Sequence, residues 1–395
     1  MAEIRTIPEK ILASGIRDTS VDAVGKFSKK VIHHNAGAPT TAADTGLGYI
    51  AGSIWVDTSN GKLYTCLDAT AESAVWANME GDDINNDPFA GENYGFFVGG
   101  YGPSGGADVK SEITRFALSA PHAGSDYGEF APGGLYGVGC FTDAAKTKGF
   151  CGGGYSPPAG PGGGDSIAEV TTFNFTGSPI AMTDVGNLDQ ATANISMQGQ
   201  TPSLGILGGG IHYPGGSDAI LNNIQTFGTA APYAATDVSE TATPMRHSST
   251  SESPTHVYCA GGATPSQVDN IYRYEKSTTD NSADVGELTA SSGAYAGGAT
   301  DGRNAFGYHI AGQNTPGSEV DVIQKYPFTS PSAGSDVGEY SANRQLGGKQ
   351  VSGTTEFWTT DNSGNIYKGA FASPSDTSDV GEAAITVTYS SATQY

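Results

Sequence analysis

Beyond residue 90 the chain alternates short apolar runs with polar stretches rich in glycine, and the same order of runs returns six times. Each unit opens with an apolar or aromatic run that ends in glycine, as at Phe96–Gly100, and a loop of Gly, Pro and Ser follows. No segment has a helical period long enough to compete, so each unit is predicted to be a small antiparallel sheet. A later segment of period two places an aliphatic residue three positions before an aromatic one, in the pairs Ile113/Phe116, Val170/Phe173, Ile224/Phe227, Ile271/Tyr274 and Ile323/Tyr326.

An acidic turn closes each unit. Its sequence is Asp-x-Gly-Glu or a near variant, and the copies recur at intervals of 43 to 58 residues. A period of this length is typical of one supersecondary unit repeated around a ring or along an array. The copies begin at Asp126, Asp184, Asp237, Asp284, Asp336 and Asp379.

The phase of the repeats distinguishes a ring from a solenoid. Another candidate strand lies between an acidic turn and the next glycine run, at Leu135–Phe141, Ala193–Gln198 and Arg246–Thr250. The first unit lacks this strand, whereas Ile385–Tyr389 follows the last turn with no sheet of its own. Pairing the two removes an aggregation-prone edge, and we see none of the polar caps that a solenoid needs. We therefore predict an all-β fold in which residues 89–395 form a six-bladed β-propeller closed by the C-terminal strand.

Charge and hydropathy exclude several partners. The 395 residues carry a formal net charge of −22, and binding to phosphate backbones or anionic bilayers depends on Lys and Arg. We therefore expect no nucleic-acid partner. No run of 18 apolar residues occurs and the start lacks an apolar core of signal-peptide length, so we expect no membrane insertion and folding in a cytoplasm.

The spacing of the cysteines indicates little about function. The four cysteines, Cys66, Cys140, Cys151 and Cys259, form no CxxC pair. Cys140 and Cys151 could face each other on neighbouring strands, but buried thiols fit the pattern better than a disulfide.

The first 80 residues divide into two predicted regions. Residues 1–45 form an arm and linker in which Ser20–Ile32 is either one short helix or an extended segment. Residues 46–80 form a small β-hairpin domain, because two alternating runs meet at Asn60-Gly61, a pair that favours a type I′ turn. Trp55, Tyr64 and Trp76 are expected to cover one face of that hairpin.

Two stretches resemble proteins of tailed bacteriophages. The hairpin, Gly52-Ser-Ile-Trp-Val-Asp-Thr-Ser-Asn-Gly-Lys-Leu-Tyr64, is similar to a module that recurs in phage fibre and other virion structural proteins. The glycine-ended strands with Asp-Val-Gly-Glu turns resemble the kelch-type propeller repeats of marine phage structural proteins, although the paired Tyr and Trp of cellular kelch repeats are not kept. The resemblance implies a virion component with an N-terminal anchor and an outward propeller.

The six acidic turns invite a catalytic or metal-binding interpretation. General acid–base work needs two converging carboxylates, whereas a motif repeated once per blade points each copy in a different direction. We expect each Asp to accept a backbone N–H in an Asx-type turn, with Gly128 and its equivalents left-handed. Calcium at one or more turns is the alternative. A metal at an exposed His33-His34 pair is the other metal interpretation, and we favour a linker with neither metal nor cofactor.

Sialidases are also six-bladed and carry repeated acidic turns, so they offer an enzymatic alternative. Their chemistry needs three arginines gathered on a carboxylate. The predicted propeller has Arg115, Arg246, Arg273, Arg303 and Arg344, and a convergent trio is not expected because Arg115 and Arg273 occupy equivalent positions in different units. We therefore expect no catalytic residue.

The loops after the glycine runs are better candidates for function. They should emerge on one face of the ring, and they carry the aromatic residues Tyr101, Tyr155, His212 and Tyr213. Aromatic faces flanked by Asp and Asn suit stacking on sugar rings, while a covering of the blade edges explains the same residues equally well.

Together these features predict a non-enzymatic virion protein such as a tail fibre or appendage. It attaches to other virion proteins through its N-terminal region and presents the propeller to host-surface glycan or to a neighbouring virion protein. A purely architectural capsid decoration or neck spacer is the alternative. By resemblance to phage fibres we expect a homo-oligomer.

Overall fold

The computed structural model describes residues 17–21, 27–35, 37–40, 42–43, 47–58, 62–70, 74–78, 93–102, 108–130, 133–143, 145–157, 164–177, 180–214, 218–289, 294–301, 305–315, 318–331, 333–341, 346, 348–361, 363–372, 374, 376–384 and 390–394. Contacts divide the chain into two compact units, Met1–Pro88 and Phe89–Tyr395. The described parts of both units are built from β-strands and contain no α-helix. The fold is therefore all-β, as the short alternating runs predict.

The N-terminal unit is one five-stranded sheet in the order β1-β2-β3-β4-β5. Its strands are β1 (Arg17–Val21), β2 (Phe27–Asn35), β3 (Ile54–Asp57), β4 (Lys62–Asp68) and β5 (Val75–Asn78). The β3–β4 hairpin is present, while its turn residues 59–61 lie outside the described residues. The helix alternative for residues 20–32 is wrong, because β2 pairs with β1 and runs parallel to β3. Hydrogen bonds to partner strands satisfy the backbone N–H and C=O groups of β2, whereas a short isolated helix would be only marginally stable.

Aromatic residues form the core of this sheet. Tyr49 and Trp55 are buried with Tyr64 and Trp76 packed against them, and the Trp55 and Trp76 ring centroids lie 5.9 Å apart. Both indole N–H groups donate to backbone carbonyls at 2.9 Å, so the rings are buried without a polar penalty. The ring of His33 lies 4.7 Å from that of Trp55, which gives this histidine a packing role.

The described part of the second unit contains six larger sheets, built mainly from antiparallel strands, and one small two-stranded sheet, formed by Tyr155–Ser156 and Asp165–Ser166. Its strands are β6 (Tyr94–Tyr101), β7 (Val109–Ala117), β8 (Gly124–Glu129), β9 (Gly139–Thr142), β10 (Lys148–Gly152), β11 (Tyr155–Ser156), β12 (Asp165–Ser166), β13 (Glu169–Asn174), β14 (Ile180–Ala181), β15 (Thr183–Asn187), β16 (Met197–Gln200), β17 (Leu204–His212), β18 (Ala219–Gly228), β19 (Ala235–Glu240), β20 (Ser249–Glu252), β21 (His256–Ala260), β22 (Asn270–Glu275), β23 (Ala283–Glu287), β24 (Gly297–Thr300), β25 (Phe306–Thr315), β26 (Ser318–Pro327), β27 (Ser335–Glu339), β28 (Val351–Ser352), β29 (Glu356–Thr360), β30 (Asn365–Ala370), β31 (Ser378–Glu382) and β32 (Ser391–Gln394).

The sheets follow one another along the chain. The second sheet has the order β9-β10-β13-β15, and the third to sixth are β16–β19, β20–β23, β24–β27 and β28–β31. The first sheet combines β6, β7 and β8 with β32 beside β6, and the short β14 runs parallel to β8 at its other edge. Apart from β14, each of these six sheets thus has four strands in the same antiparallel order, which is a propeller-like arrangement.

The last strand belongs to the first sheet. Ser391–Gln394 pairs antiparallel with Gly95–Val98, so β32 fills the position that β9 fills in the second sheet. The spare strand was predicted at Ile385–Tyr389, which lies outside the described residues. The pairing residues are therefore a few positions further along than the alternation of apolar residues indicated.

One strand of each sheet is buried along its length, and we call these six strands the inner strands: β9, β16, β20, β24, β28 and β32. Side chains near their ends join one sheet to the next. The backbone N–H of Gln200 donates to Glu252 at 3.0 Å, that of Glu252 to Thr300 at 2.8 Å, and that of Thr300 to Ser352 at 3.1 Å. Polar residues are thus buried here because each one satisfies a backbone donor of its neighbour.

A buried charge cluster lies on the inner strands. The Glu252 carboxylate contacts Lys276 Nζ at 2.8 Å and Lys349 Nζ at 2.7 Å, and all three side chains are almost fully buried. Burial alone raises the pKa of Glu252, but the two lysines outweigh it and lower that pKa to about 2. Removing one partner would leave buried charge uncompensated.

All four cysteines are free and buried. Cys140 and Cys151 face each other on β9 and β10 with their sulfur atoms 2.9 Å apart. Burial, followed by the neighbouring Cys140, raises the pKa of the Cys151 thiol, so this thiol remains protonated at neutral pH.

Removal of residues 391–395 is expected to lower the melting temperature by about 10 °C, because the first sheet loses its inner strand and exposes the edge of β6. Differential scanning calorimetry measures the change. A synthetic peptide carrying residues 390–395 should recover part of the loss. Unchanged melting after truncation would contradict a structural role for β32.

Glu252→Gln is expected to destabilise the protein by about 3–5 kcal/mol, because two buried lysines lose their counter-charge. The matched control is Glu356→Gln, whose ion pair with Lys368 is partly exposed, with an expected loss below about 1 kcal/mol. Because the folded-state pKa of Glu252 is depressed, its contribution is present above about pH 4.5 and is lost as the pH falls towards 2. Urea unfolding across this range tests the account, and equal losses in the two variants would contradict it.

Candidate functional site

One end of the second unit carries the longer connections, and we call it the loop face. Because strands alternate in direction, the loops from the second to the third strand of each sheet emerge at the same end as the loops that lead to the next sheet. Tyr101, Tyr155, His212 and Tyr213 follow or end second strands, so all four predicted residues lie at this face.

Glycine pairs at the ends of the second strands shape the loop face. Gly99 and Gly100 have φ of 57° and 119°, and the pairs at 153–154, 209–210 and 261–262 repeat this conformation. The Gly100 N–H donates to the carbonyl of Leu135 at 2.8 Å, and a Cβ on Gly99 would overlap that oxygen. The pairs therefore allow the loop leading to the next inner strand to lie directly against the second strand.

A second set of left-handed residues precedes the inner strands. Gly137, Asn194, His247 and Tyr295 have φ between 52° and 64°. These positions explain why the strands predicted at Leu135–Phe141, Ala193–Gln198 and Arg246–Thr250 begin three to four residues later than expected, since a left-handed residue interrupts a strand. Their side chains consequently turn towards the loop face instead of joining a ladder.

Tyrosine rings cluster where these two sets of loops meet. The ring centroids of Tyr101 and Tyr136 are 4.0 Å apart, those of Tyr136 and Tyr155 are 5.0 Å apart, and those of Tyr155 and Tyr213 are 4.9 Å apart. The ring centroids of His247 and Tyr295 are 4.0 Å apart, with the ring planes tilted by 40°. Beside them is a cavity of about 180 Å³, which we call the tyrosine pocket and which is lined by Tyr101, Tyr136, Asn194, Tyr213, Arg246, His247 and Tyr295.

The predicted loop residues separate into two groups. Tyr101 and Tyr213 line the tyrosine pocket, and Tyr155 packs against Tyr213 just behind it. His212 is not among the lining residues, because its Nδ1 lies 2.9 Å from the carbonyl oxygen of Ala191. Three of the four predicted side chains are therefore brought together and one is not.

Five lining residues were missed by sequence reasoning: Tyr136, Asn194, Arg246, His247 and Tyr295. Four of them were assigned to strands, and all five precede an inner strand by two to three residues. Aligning the units on their inner strands would have placed these polar and aromatic residues at two adjacent positions. That alignment is the signal that could have found them.

The electrostatics of the tyrosine pocket are simple. Burial is the main cause that raises the pKa of Tyr213 to about 12, and burial likewise raises the pKa values of Tyr101, Tyr136 and Tyr295. Burial and the charge of Arg246 lower the pKa of His247 to about 3. At neutral pH the tyrosines and His247 are uncharged, which leaves Arg246 as the charged member of the lining.

Most aspartates of the acidic turns accept a hydrogen bond from the backbone of their own turn, which is a structural role. Aspartate Oδ1 accepts the N–H two residues on at Asp126, Asp184, Asp284, Asp336 and Asp379, at 2.9–3.3 Å. The expected Asx-type hydrogen bond is thus present in five turns, and no such bond forms at Asp237, where Ser239 replaces glycine. The aspartates are exposed, and the described residues contain no group of three or more acidic, His or Cys side chains arranged for a metal.

The left-handed conformation predicted for Gly128 and its equivalents is wrong. Gly186 is the exception with φ of 147°, and Gly128 and its other equivalents have no positive φ. The turn is accommodated by a β-bulge instead: the register shifts between Ile113 and Thr114 opposite the motif, and it shifts at the same place in the other five sheets. An extra residue in one strand bends the ladder without a left-handed backbone.

The arginines do not gather within the described part of the chain. Arg246 lines the tyrosine pocket, whereas the Arg115 guanidinium lies 4.4 Å from the ring centroid of Tyr127 and Arg273 lies on β22. Arg303 and Arg344 lie outside the described residues. A larger, open depression of about 680 Å³ lies at the edge of the second sheet beside Asp184 and Tyr233, but it lacks the convergence of aromatic and polar groups found in the tyrosine pocket.

Comparison with known proteins gives no family for the chain. No protein-family model matches it, and no curated protein matches it in sequence. Among the described residues, no helix has the length and apolarity required to cross a membrane.

Gly99→Ala is expected to destabilise the protein by about 3 kcal/mol, because the new methyl group meets the Leu135 carbonyl and the residue must stay left-handed. Gly133→Ala is the matched control: its φ is also positive, at 99°, but a Cβ there meets no atom within 4 Å. Its expected loss is about 1 kcal/mol. Chemical unfolding compares the two, and similar losses would show that the close approach at Gly99 is unimportant.

Proposed function

We propose that the six sheets close into a six-bladed propeller of the kelch-like type. Three contacts support closure: two join Gln198 of the third sheet to the first and second sheets, and one joins the sixth sheet to the first. Gln198 Oε1 accepts a hydrogen bond from Ser391 of β32 at 2.9 Å and one from the Cys140 N–H of β9 at 3.1 Å. The sixth acidic turn lies against the first sheet, since a Cβ on Gly381 would meet the His122 carbonyl at 2.6 Å.

A shared hydrophobic cluster supports the same closure. Phe97 and Phe116 of the first sheet pack with Val351, Trp358 and Ile366 of the sixth sheet. Each inner strand also contacts the next in the cyclic order β9, β16, β20, β24, β28, β32 and back to β9. Such a ring leaves short, protected edges and presents one set of loops around its axis.

We further propose that the protein is a non-enzymatic saccharide-binding component of a phage virion, a tail fibre or appendage that attaches to the host surface. The observation that carries the proposal is the tyrosine pocket. Flat aromatic faces bind the apolar faces of sugar rings, while phenol hydroxyls, the Asn194 amide and the Arg246 guanidinium can bond to sugar hydroxyls. Several uncharged donors around aromatic walls favour binding over reaction.

The backbone conformation of the pocket supports a role in binding. His247 and Tyr295 adopt φ of 60° and 59°, which is unfavourable by about 1 kcal/mol or more for bulky residues. Gly137 occupies the equivalent position at φ of 64° without that cost. Glycine at these two positions would relieve the backbone strain. His247 and Tyr295 stand there instead, and both line the pocket, as expected for functional residues.

A glycan-cleaving, sialidase-like enzyme is the second candidate considered. Glycoside hydrolysis generally uses a pair of carboxyl groups flanking the bond that is cleaved. The described lining of the tyrosine pocket contains no Asp or Glu, and the exposed aspartates of the acidic turns are used in their own Asx-type bonds. This lining therefore supports binding better than cleavage.

The assignment to a virion rests on the N-terminal unit. The β3–β4 hairpin carries the sequence that resembles the phage fibre module, and Leu47 and Leu67 of this unit are 71% and 59% exposed. Exposed apolar side chains offer contact area for another virion protein or for copies of this chain in a homo-oligomer. A purely architectural capsid decoration or neck spacer is the alternative within the same setting.

Tyr295→Ala and Tyr213→Ala are expected to weaken binding to polysaccharide extracted from the host surface by about tenfold each, because each removes a stacking surface. Tyr64→Ala in the N-terminal unit is the matched control and should bind as the unchanged protein does. Biolayer interferometry measures the affinities. Absence of binding, or equal binding by all variants, would contradict the saccharide site, and released sugar would contradict the non-enzymatic assignment.

The position in the particle requires a separate experiment. Gold-labelled antibody to the propeller is expected to mark the fibre or appendage in electron micrographs of phage. Labelling distributed over the capsid or confined to the neck would support the architectural alternative.

A further inference from the structure

We propose that the tyrosine pocket is specific for an acidic sugar, with Arg246 binding the sugar carboxylate. This inference rests on the saccharide binding proposed above and deepens it by naming the ligand class. It begins from the Arg246 side chain, whose Nε is the one cationic side-chain nitrogen among the described residues that is buried without a hydrogen-bond partner.

The Arg246 guanidinium has no counter-ion among the described residues. Among the described residues, its buried Nε has no hydrogen-bond partner, and no carboxylate lies within ion-pair distance of its side chain. By contrast, Lys276 and Lys349 pair with Glu252, and Lys368 pairs with Glu356.

The neighbours of Arg246 are neutral. Its charge acts on Tyr213, Tyr295 and His247, and each of these remains uncharged at neutral pH. Asp218 is the acidic residue whose charge reaches the pocket wall, through Tyr213, but it neither lines the pocket nor pairs with Arg246. A buried donor without a partner costs free energy that a ligand acceptor would recover.

A carboxylate matches the Arg246 guanidinium in charge and in shape. Guanidinium groups bind carboxylates through two parallel N–H···O bonds, and such charge-assisted bonds are stronger than bonds to a neutral hydroxyl. The rings of His247, Tyr295 and Tyr213 line the pocket and provide flat surfaces for the sugar ring next to that charge. The Asn194 amide, 3.5 Å from the Tyr213 hydroxyl, remains able to contact sugar hydroxyls.

The test compares sugars that differ in one group. Three matched pairs are titrated by isothermal calorimetry and saturation-transfer NMR: galacturonate with galactose, glucuronate with glucose, and mannuronate with mannose. At neutral pH at least one uronate should bind about tenfold more tightly than its neutral partner, because a bond to a charged acceptor replaces one to a hydroxyl.

Three variants separate the contributions. Arg246→Gln is expected to remove the preference for the uronate while leaving the weak binding of its neutral partner, and Arg246→Lys should keep part of the preference. Arg273→Gln on β22 removes the same charge away from the pocket and should change neither. Circular dichroism melting verifies that each variant is folded.

The outcomes distinguish the inference from the proposed function. If neutral sugars bind as tightly as uronates and Arg246→Gln changes nothing, the acidic specificity is overturned while saccharide binding stands. If no sugar of the three pairs binds and Tyr295→Ala leaves binding of host polysaccharide unchanged, both fail. If no sugar of the three pairs binds but the polysaccharide binds through the tyrosines, uronate specificity alone is overturned.

Discussion

The close approach of the six inner strands is the constraint on which the second unit depends. Their backbones are buried and adjacent, so each unpaired N–H must find a partner on the neighbouring strand. Side chains of Glu252, Thr300 and Ser352 supply those partners, which explains why short polar residues fill positions that most cores give to Leu or Val. The Glu252–lysine cluster satisfies a buried charge in the same way, because Lys349 of the sixth sheet pairs with Glu252 of the fourth.

The same constraint shapes the loop face. Inner strands can meet only if the loops entering them lie flat against the second strands, and the glycine pairs permit this by removing a Cβ at the contact. A residue that leads into each of β9, β16, β20 and β24 is then left-handed. Side chains at that turn point into the loop face, and three of them, on Asn194, His247 and Tyr295, line the tyrosine pocket.

Much of this fold could be predicted from sequence because it repeats. The glycine-ended runs correspond to β6, β10, β17, β21 and β25, and the aliphatic–aromatic pairs such as Ile113 and Phe116 are buried on third strands. The pocket was only partly predictable. Tyr101 and Tyr213 stood in loops with evident aromatic character, whereas Asn194 and His247 looked like strand residues, since a left-handed φ at a non-glycine residue leaves no local signal. At Gly128 the sequence indicated a left-handed residue that the structure does not have. A β-bulge, which depends on the partner strand, is present instead.

Hydrogen exchange tests the dependence on the inner strands most directly. Mass spectrometry of the native protein would follow the peptides that contain β9, β16, β20, β24, β28 and β32. If the six strands support one another around a closed ring, their amides exchange last and together, with β32 as slow as the other five. Fast exchange at Ser391–Gln394 while the other five inner strands remain protected would contradict that account.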